Sequence, residues 1–467
     1  MLRAFLYWVS QKRWLLIAAV IATIFYHSPY PDGISAAGYR SIILMFIVVV
    51  LIVSEAVPLP AIALLIAVLQ VVFAIAEPSE VAQSYMSDSV FFIMGSLMLA
   101  VAIVRQGLDA RLTLIILSLT GNGVKAIMWG FFLISMLLTS FMGEHTIVAM
   151  LLPVVLTLVR YTSDDADEVK ELGKLFLFAI AYGSILGSFG TPSGGARNAI
   201  MIEYLSDFGL AKISYAAWMA YTYPLMLVMA PFAGFMLSRS FKPSQVRLDS
   251  AVEKLRAQVG DTGKLNGQQM LSIFFFVLIF LAWIFMSDRI GIGIIALAGV
   301  FLYLAAGLVE WQEINSRTNW GVVLLYAGAI SLGLQLKNTG AALWLTTHLL
   351  SVFGTLLDQV EALRYVLVGV LTTVVVNIMS PSASVAVLGP IFINFGGDPV
   401  LLGMETAVAS AFGFMTVVGS AAGMIIASTG IIGSKDFLRV GIKFTILANV
   451  LLILAIMFYW PFLRSAL

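Results

Sequence analysis

The chain has 467 residues, 61% of them hydrophobic and 11% charged, with a mean hydropathy of +1.01. Soluble domains carry about 25% charged residues, so this composition belongs to an all-α polytopic membrane protein and excludes a soluble fold. The net charge of +1 gives no basis for nucleic-acid binding. The absence of cysteine excludes disulfides and thiolate metal sites, and His27, His145 and His348 are too scattered for a metal cluster.

The first residues lack a signal-peptide cleavage pattern, so the apolar run Trp14–Tyr26 reads as a retained first helix. A spanning helix needs about 20 mostly apolar residues. About eleven are predicted, near 14–30, 39–57, 58–76, 88–106, 172–190 with a continuation past 197, 213–238, 269–287, 290–309, 319–337, 403–419 and 437–460. Two further segments, 122–160 and 361–395, are too long for one span and too interrupted for two. Their middles hold Gly143-Glu144-His145 and Ser380-Pro381-Ser382. They are predicted to be re-entrant helical hairpins whose tips meet near mid-membrane, where irregular backbone is tolerated only beside protein or a water cavity. The acidic run Ser163–Glu168 reads as a solvated loop.

Basic residues set the orientation. Arg3, Lys12 and Arg13 precede the first span, and the polar loop 239–268 carries Arg239, Lys242, Arg247, Lys254, Arg256 and Lys264. Both fall on one side in an eleven-span count, and the positive-inside rule makes it cytoplasmic. The N-terminus is then inside, the C-terminus outside, and the expected location is a prokaryotic inner membrane.

The chain repeats internally. Residues 95–107 line up with 328–340, and each is followed by a short amphipathic piece, 108–113 and 341–346. Each copy continues with a hairpin ending in proline, Pro153 or Pro390, and then a Gly-interrupted span, through Gly190-Thr-Pro-Ser193 or Gly419-Ser-Ala-Ala422. In the span count the copies start from opposite sides, so the repeat is inverted. Broken helices at matching positions of inverted halves point to a transporter site.

These features make the chain resemble the divalent anion:sodium symporter (DASS) family. The strings that carry the resemblance are Phe91–Ala100, Trp320–Gly328, Ser410–Met415 and Lys435–Gly441, in that order. The resemblance implies a homodimer and an elevator motion of a transport domain against a scaffold, with substrate and coupling ions at the hairpin tips and broken helices. It divides the chain into scaffold helices with a first interfacial helix (1–121), a first transport half (122–240, with hairpin 122–160 and broken helix 172–206), a loop with scaffold helices and a second interfacial helix (241–360), and a second transport half (361–467, with hairpin 361–395 and broken helix 403–434). The family usually carries Ser-Asn-Thr at each tip, ten residues before a proline. Here those positions read Gly143-Glu144-His145 with Thr146 next, and Ser380-Pro381-Ser382 with Ala383 next. Both asparagines are gone.

Charges at membrane depth cost roughly 2.5–3.5 kcal/mol each on insertion scales, so they mark functional sites. Glu144 is read as a cation ligand, a proton carrier or a counter-charge to Arg197. His145 is read as a proton relay or an orienting partner for Glu144. Arg197, with Thr191 and Asn198 in the Gly-rich break, offers a planar fork for carboxylate or sulfate. Its other readings are a loop arginine paired with Glu203 and a partner for Glu144. Thr139, Glu144 and the Gly190 carbonyl form a candidate sodium site, with oxygen donors suited to a hard cation. The second family cation site looks dismantled, with Val376, Met379 and Pro381 at its positions, leaving Ser380, Ser382 and backbone near Ser420. Glu55 and Glu405 are read as charges near span ends, and His348 as structural.

The expected function is secondary active transport of a small anion, a di- or tricarboxylate or a sulfate-like ion, coupled to H+ or Na+ and without other cofactors. The alternative is a cation/proton antiporter of related fold using Glu144. A passive anion channel is a further alternative. A membrane enzyme is disfavoured, since no HExxH or GxSxG pattern is present.

Overall fold

The computed structural model describes residues 13–54, 56–107, 120–162, 166–241, 243, 247–250, 252–254, 265–357 and 360–466. Glu55, the amphipathic piece 108–113, Arg3 and Lys12, the start of the acidic run and much of the basic loop, including Lys242, Arg256 and Lys264, lie outside the described residues. Among the described residues the regular elements are helices, with one isolated bridge between Gly123 and Arg247.

The first half runs α1 (Arg13–His27), α2 (Ala36–Ser54), α3 (Leu59–Val72), α4 (Pro78–Ser84), α5 (Asp88–Val104), α6 (Val124–Thr139), α7 (Glu144–Arg160), α8 (Ala166–Gly187), α9 (Ala196–Asp207) and α10 (Tyr215–Ser240). The second runs α11 (Gly267–Ile290), α12 (Ile292–Ala305), α13 (Trp311–Arg317), α14 (Trp320–Asn338), α15 (Ala341–Leu357), α16 (Glu361–Val376), α17 (Pro381–Phe392), α18 (Pro399–Ala409), α19 (Ala421–Ala427), α20 (Ser434–Leu454) and α21 (Trp460–Ala466).

Five of these stretches are single helices long and apolar enough to cross a bilayer: α2, α10, α11, α14 and the run Ser434–Arg464. The pair α4 and α5, bent by 43°, makes a sixth. Seven further apolar helices have 10–17 residues. They are short because breaks interrupt the apolar runs. α11 shows the lipid-facing pattern most plainly: Met270, Phe274, Val277, Leu278, Leu281 and Phe285 are all exposed along one stripe.

Both expected hairpin segments break at their middles. Backbone leaves the helix after Thr139 and re-enters at Glu144, and it leaves after Val376 and re-enters at Pro381. Ser380 caps the second re-entry, its Oγ accepting from the Ala383 amide at 3.4 Å. The helix α8 stops at Gly187. A short 3-10 turn, Pro192–Gly194, precedes α9.

The second break differs from the expected span 403–419. Helix α18 starts at Pro399, where the Asp398 carboxylate accepts from the Val400 amide at 2.8 Å, and it ends at Ala409. Residues 410–420 then fold around one side chain. Asn377 Nδ2 donates to Phe412 O at 3.2 Å, its Oδ1 accepts from the Met415 amide at 2.9 Å, and its carbonyl accepts from Thr416 Oγ1 at 2.8 Å. These bonds satisfy backbone groups that a continuous helix would have paired internally. The earlier helix start also moves Glu405. It lies nearly two turns into α18 and is 0% exposed, not a first-turn charge near the interface.

Packing repeats between the halves. Helix α9 packs on α17 as α19 packs on α7, and α5 packs on α12 as α14 packs on α3. Helices α6 and α8 approach each other closely. A Cβ at Gly183 would stand 2.3 Å from Phe132 O, and one at Gly187 would stand 2.0 Å from Met136 O. No side chain fits there, so the two backbones touch. Small residues serve this purpose in membranes, where lipid removes the hydrophobic drive between helices and close packing must replace it.

Candidate functional site

The two hairpin tips and the first break enclose one cavity of about 410 Å³. Gly143 to Thr146 line it from the first tip, Pro192 to Arg197 from the first break, and Ser380 to Ser382 from the second tip. Ala421, Met424 and Ile425 of α19 close one side. Phe92, Ser96 and Ala100 of α5 and Asn319, Val322 and Tyr326 of α14 close the other. The starts of α7, α9, α17 and α19 all reach this space. A helix N-terminus carries unpaired N–H groups and a positive dipole end, so the backbone alone makes the wall electropositive.

Glu144 opens α7 and is 8% exposed. Its Oε1 accepts from the Ala421 amide at 2.8 Å, across 277 residues of sequence. The protein's own carboxylate thus holds the first N–H of α19 and ties the first tip to the second broken helix. His145 and Thr146 are half-buried on the same wall.

Arg197 is 3% exposed. Its Nη2 donates to Ser188 Oγ, and its Nε has no partner. The reading of Arg197 paired with Glu203 is not what the fold builds: Glu203 accepts from Ser89 Oγ of α5 at 2.6 Å, while Arg197 turns to Ser188 and the cavity. Asn198 is fully buried behind it. Its Nδ2 donates to Ser188 O at 2.9 Å and Thr191 O at 2.7 Å, which leaves Oδ1 with no donor. Thr191 donates its hydroxyl to Ser140 O and shares a 3.0 Å contact with Ser193 Oγ. Ser140 therefore secures the first break as Asn377 secures the second.

Glu144 lines the cavity. Thr139 is fully buried with its hydroxyl unpartnered, and the Gly190 carbonyl already accepts from Thr222 Oγ1 at 2.9 Å. At the second tip Ser382 Oγ donates to Tyr326 Oη of α14 at 3.1 Å. Ala383 is buried behind the wall, and Ser420 is spent on its own helix, its Oγ accepting from the Gly423 amide at 2.9 Å. Among the described residues no group of three or more His, Asp or Glu is placed to hold a metal ion.

Sequence reading passed over Ser188, Asn377 and Tyr326. Tyr326 lies inside the string Trp320–Gly328 and carried a signal, as a polar aromatic in a span. Asn377 stands three residues before the tip, and counting back from Pro390 steps past it.

The family model described as "Sodium:sulfate symporter transmembrane region" matches residues 10–466. The chain belongs to this family. It is therefore an integral membrane transporter and not an enzyme. Sodium-dependent dicarboxylate transporter SdcS of Staphylococcus saprophyticus is 24% identical over 458 residues, covering 92% of this chain and 88% of that one. The SdcS protein of Staphylococcus aureus strain USA300 is 24% identical over 435 residues, covering 88% and 83%. Two solved structures share the symporter-family chain's fold. The Alcanivorax borkumensis YdaH transporter superposes with a TM-score of 0.57 at 14% identity, over 81% of this chain and 86% of that one. Neisseria gonorrhoeae MtrF, described as illuminating a class of antimetabolite efflux pumps, gives 0.57 at 13% identity, over 92% and 96%.

Proposed function

We propose that the protein is a secondary active transporter of a small anion, a di- or tricarboxylate or a sulfate-like ion, driven by a sodium or proton gradient. The buried Arg197 guanidinium on the cavity wall carries this reading. An arginine fork beside the starts of α9 and α17 supplies charge-assisted donors to an oxyanion. A cavity of about 410 Å³ has room for a small organic anion with water. The relatives named sodium-dependent dicarboxylate transporters and the family's sodium:sulfate description support the same substrate class.

The cation enters as cargo. Thr139 Oγ1 and Asn198 Oδ1 are buried oxygens without partners next to the first break, and oxygen donors of this kind suit sodium. The Gly190 carbonyl accepts from Thr222 Oγ1 and keeps a second lone pair for a cation. Glu144 is the candidate for a proton.

Movement follows an elevator scheme. The tips, the broken helices, α10 and α20 travel together against α1–α5 and α11–α15, with the segments 122–160 and 361–395 as re-entrant hairpins in an inverted repeat of eleven spans. The cross-packing of α9 on α17 and α19 on α7 supports this division. The working unit is a homodimer in a prokaryotic inner membrane, N-terminus inside and C-terminus outside. A second reading, a cation/proton antiporter, draws on the Glu144 carboxylate at the cavity wall.

Proteoliposome uptake of radiolabelled succinate and sulfate under imposed sodium and pH gradients tests the proposal. Gradient-driven accumulation of one anion is expected. Failure of every anion to move or compete, with sodium–proton exchange intact, would replace it with the antiporter.

A further inference from the structure

The end of α10 meets the start of α20 at a second cavity, of about 240 Å³, which shares no residue with the anion cavity. Arg239 on α10 and Arg439 and Lys443 on α20 bring three positive charges to it, and no carboxylate lines it. Among the described residues none of the three cations is in an ion pair or a hydrogen bond. Asp436, one turn before Arg439, is already committed: Oδ1 meets Lys174 Nζ at 3.0 Å and Oδ2 accepts from the Gly433 amide at 3.1 Å. The Arg239 guanidinium lies over the Phe235 ring, 4.3 Å from its centroid. That contact draws the charge back along α10 while its N–H edges stay free. A cleft lined by one sign of charge attracts the opposite sign.

The cationic cap stands at the head of an apolar furrow. On α10, Val228, Phe232, Phe235 and Arg239 are three or four residues apart and so share one face. On α20, Lys443, Ile446 and Val450 do the same. All the apolar members of both rows are exposed. The eleven-residue rise from Val228 to Arg239 is about 16 Å of helix, roughly one leaflet's share of a ~30 Å hydrocarbon core. A charged cap over a leaflet-length apolar furrow has the form of one phospholipid. Free phosphate would use the cap and leave the furrow. A choline lipid would use the furrow and bring its own ammonium against three cations.

We propose that α10 and α20 form a binding site for an anionic phospholipid, its phosphodiester between Arg239, Arg439 and Lys443 and an acyl chain along the furrow. Basic pockets between spanning helices on the cytoplasmic side hold such head groups, and Arg is suited to them as a forked phosphate donor. Arg239 opens the basic loop 239–268, which the positive-inside rule puts in the cytoplasm, so the site belongs to the cytoplasmic leaflet. The site does not depend on which solute is carried, and its test reads lipid, not transport.

The test uses the purified full-length protein, delipidated in detergent and titrated with phosphatidylglycerol, with phosphatidylcholine of the same acyl chains, or with inorganic phosphate. Native mass spectrometry reads retained lipid, and melting temperature reads stabilisation. Phosphatidylglycerol should be retained and should raise the melting temperature, while phosphatidylcholine and phosphate should not. Arg239→Gln, Arg439→Gln and Lys443→Gln should each weaken phosphatidylglycerol retention about fivefold, and Arg239→Gln with Lys443→Gln roughly 30-fold. Lys435→Gln removes the same charge from an exposed position on α20 outside the cavity and should leave retention unchanged. Equal retention of the two lipids, or a loss in Lys435→Gln as large as in the cavity variants, would overturn the site. Stabilisation by inorganic phosphate equal to that by phosphatidylglycerol would make it a free-phosphate site and sink the lipid. Should the double variant fail to fold, the single variants are scored alone by the same criterion.

Discussion

On the transporter reading Arg197 sets the sign of charge that the cavity accepts: it is 3% exposed on the cavity wall, with Nη2 donating to Ser188 Oγ. Arg197→Ala should abolish anion binding in an equilibrium binding assay. Arg197→Lys turns a fork into a point charge; losing one charge-assisted bond costs about 1.5–3 kcal/mol, on the order of 10- to 100-fold in affinity. Unchanged affinity in both variants would make Arg197 peripheral. Glu144 has a second duty, the amide of Ala421. Glu144→Gln keeps an acceptor there, so it should fold and exchange substrate while losing any response to a pH gradient. Glu144→Ala should also lower stability by about 1–3 kcal/mol, since a buried N–H is orphaned, which a melting curve would read. The sequence announced both residues, because charges inside apolar runs stand out. It did not announce what each one touches. Ser188, which turns Arg197 inward, is a serine like many others, and Glu405 looked interfacial because its helix begins four residues earlier than the apolar pattern suggested.

Among the elements, the breaks govern the site more than the helices do. The first break, the first tip and the second tip were legible because Gly, Pro and charge interrupt long apolar runs. The loop 410–420 was not, since its shape depends on a side chain more than thirty residues upstream. Asn377 meets Phe412, Met415 and Thr416 together. Asn377→Ala removes two side-chain bonds to the loop and a third to Thr373 O, and should destabilise the protein by about 1–3 kcal/mol, seen as a lower melting temperature. It should also weaken transport more than Asn377→Asp, which keeps the acceptor for the Met415 amide. Equal melting and equal uptake in the alanine variant would show that the loop holds itself.

For the whole molecule, the polar links between the proposed moving and static helices among the described residues include Ser89 to Glu203, Tyr326 to Ser382, Tyr204 Oη to Ala329 O at 2.8 Å, Thr346 Oγ1 to Ile391 O at 2.9 Å and the Tyr215 amide to Ser287 Oγ at 3.4 Å. Rigid-body travel must break them. The chain has no native cysteine, so a pair placed at Ser89 and Glu203 would be the only thiols present. Bridging Ser89→Cys and Glu203→Cys with mercuric ion should stop uptake, and reduction should restore it. Uptake that continues with the bridge in place would rule out relative motion of α5 and α9. The repeat that implies such motion was readable as an order of features, while the pairing of α9 with α17 and α19 with α7 needed the fold.

The backbone contact of α6 with α8 has an evolutionary consequence. Gly183 and Gly187 admit no side chain, whereas His145 and Thr146 sit half-buried on the cavity wall at the first tip. Mutation is thus forbidden in the frame and freer at the fitting. Exchange at the tip can rewrite which solute and which ion are accepted while the machinery that carries them stays the same, so selectivity in such a chain can drift faster than its architecture.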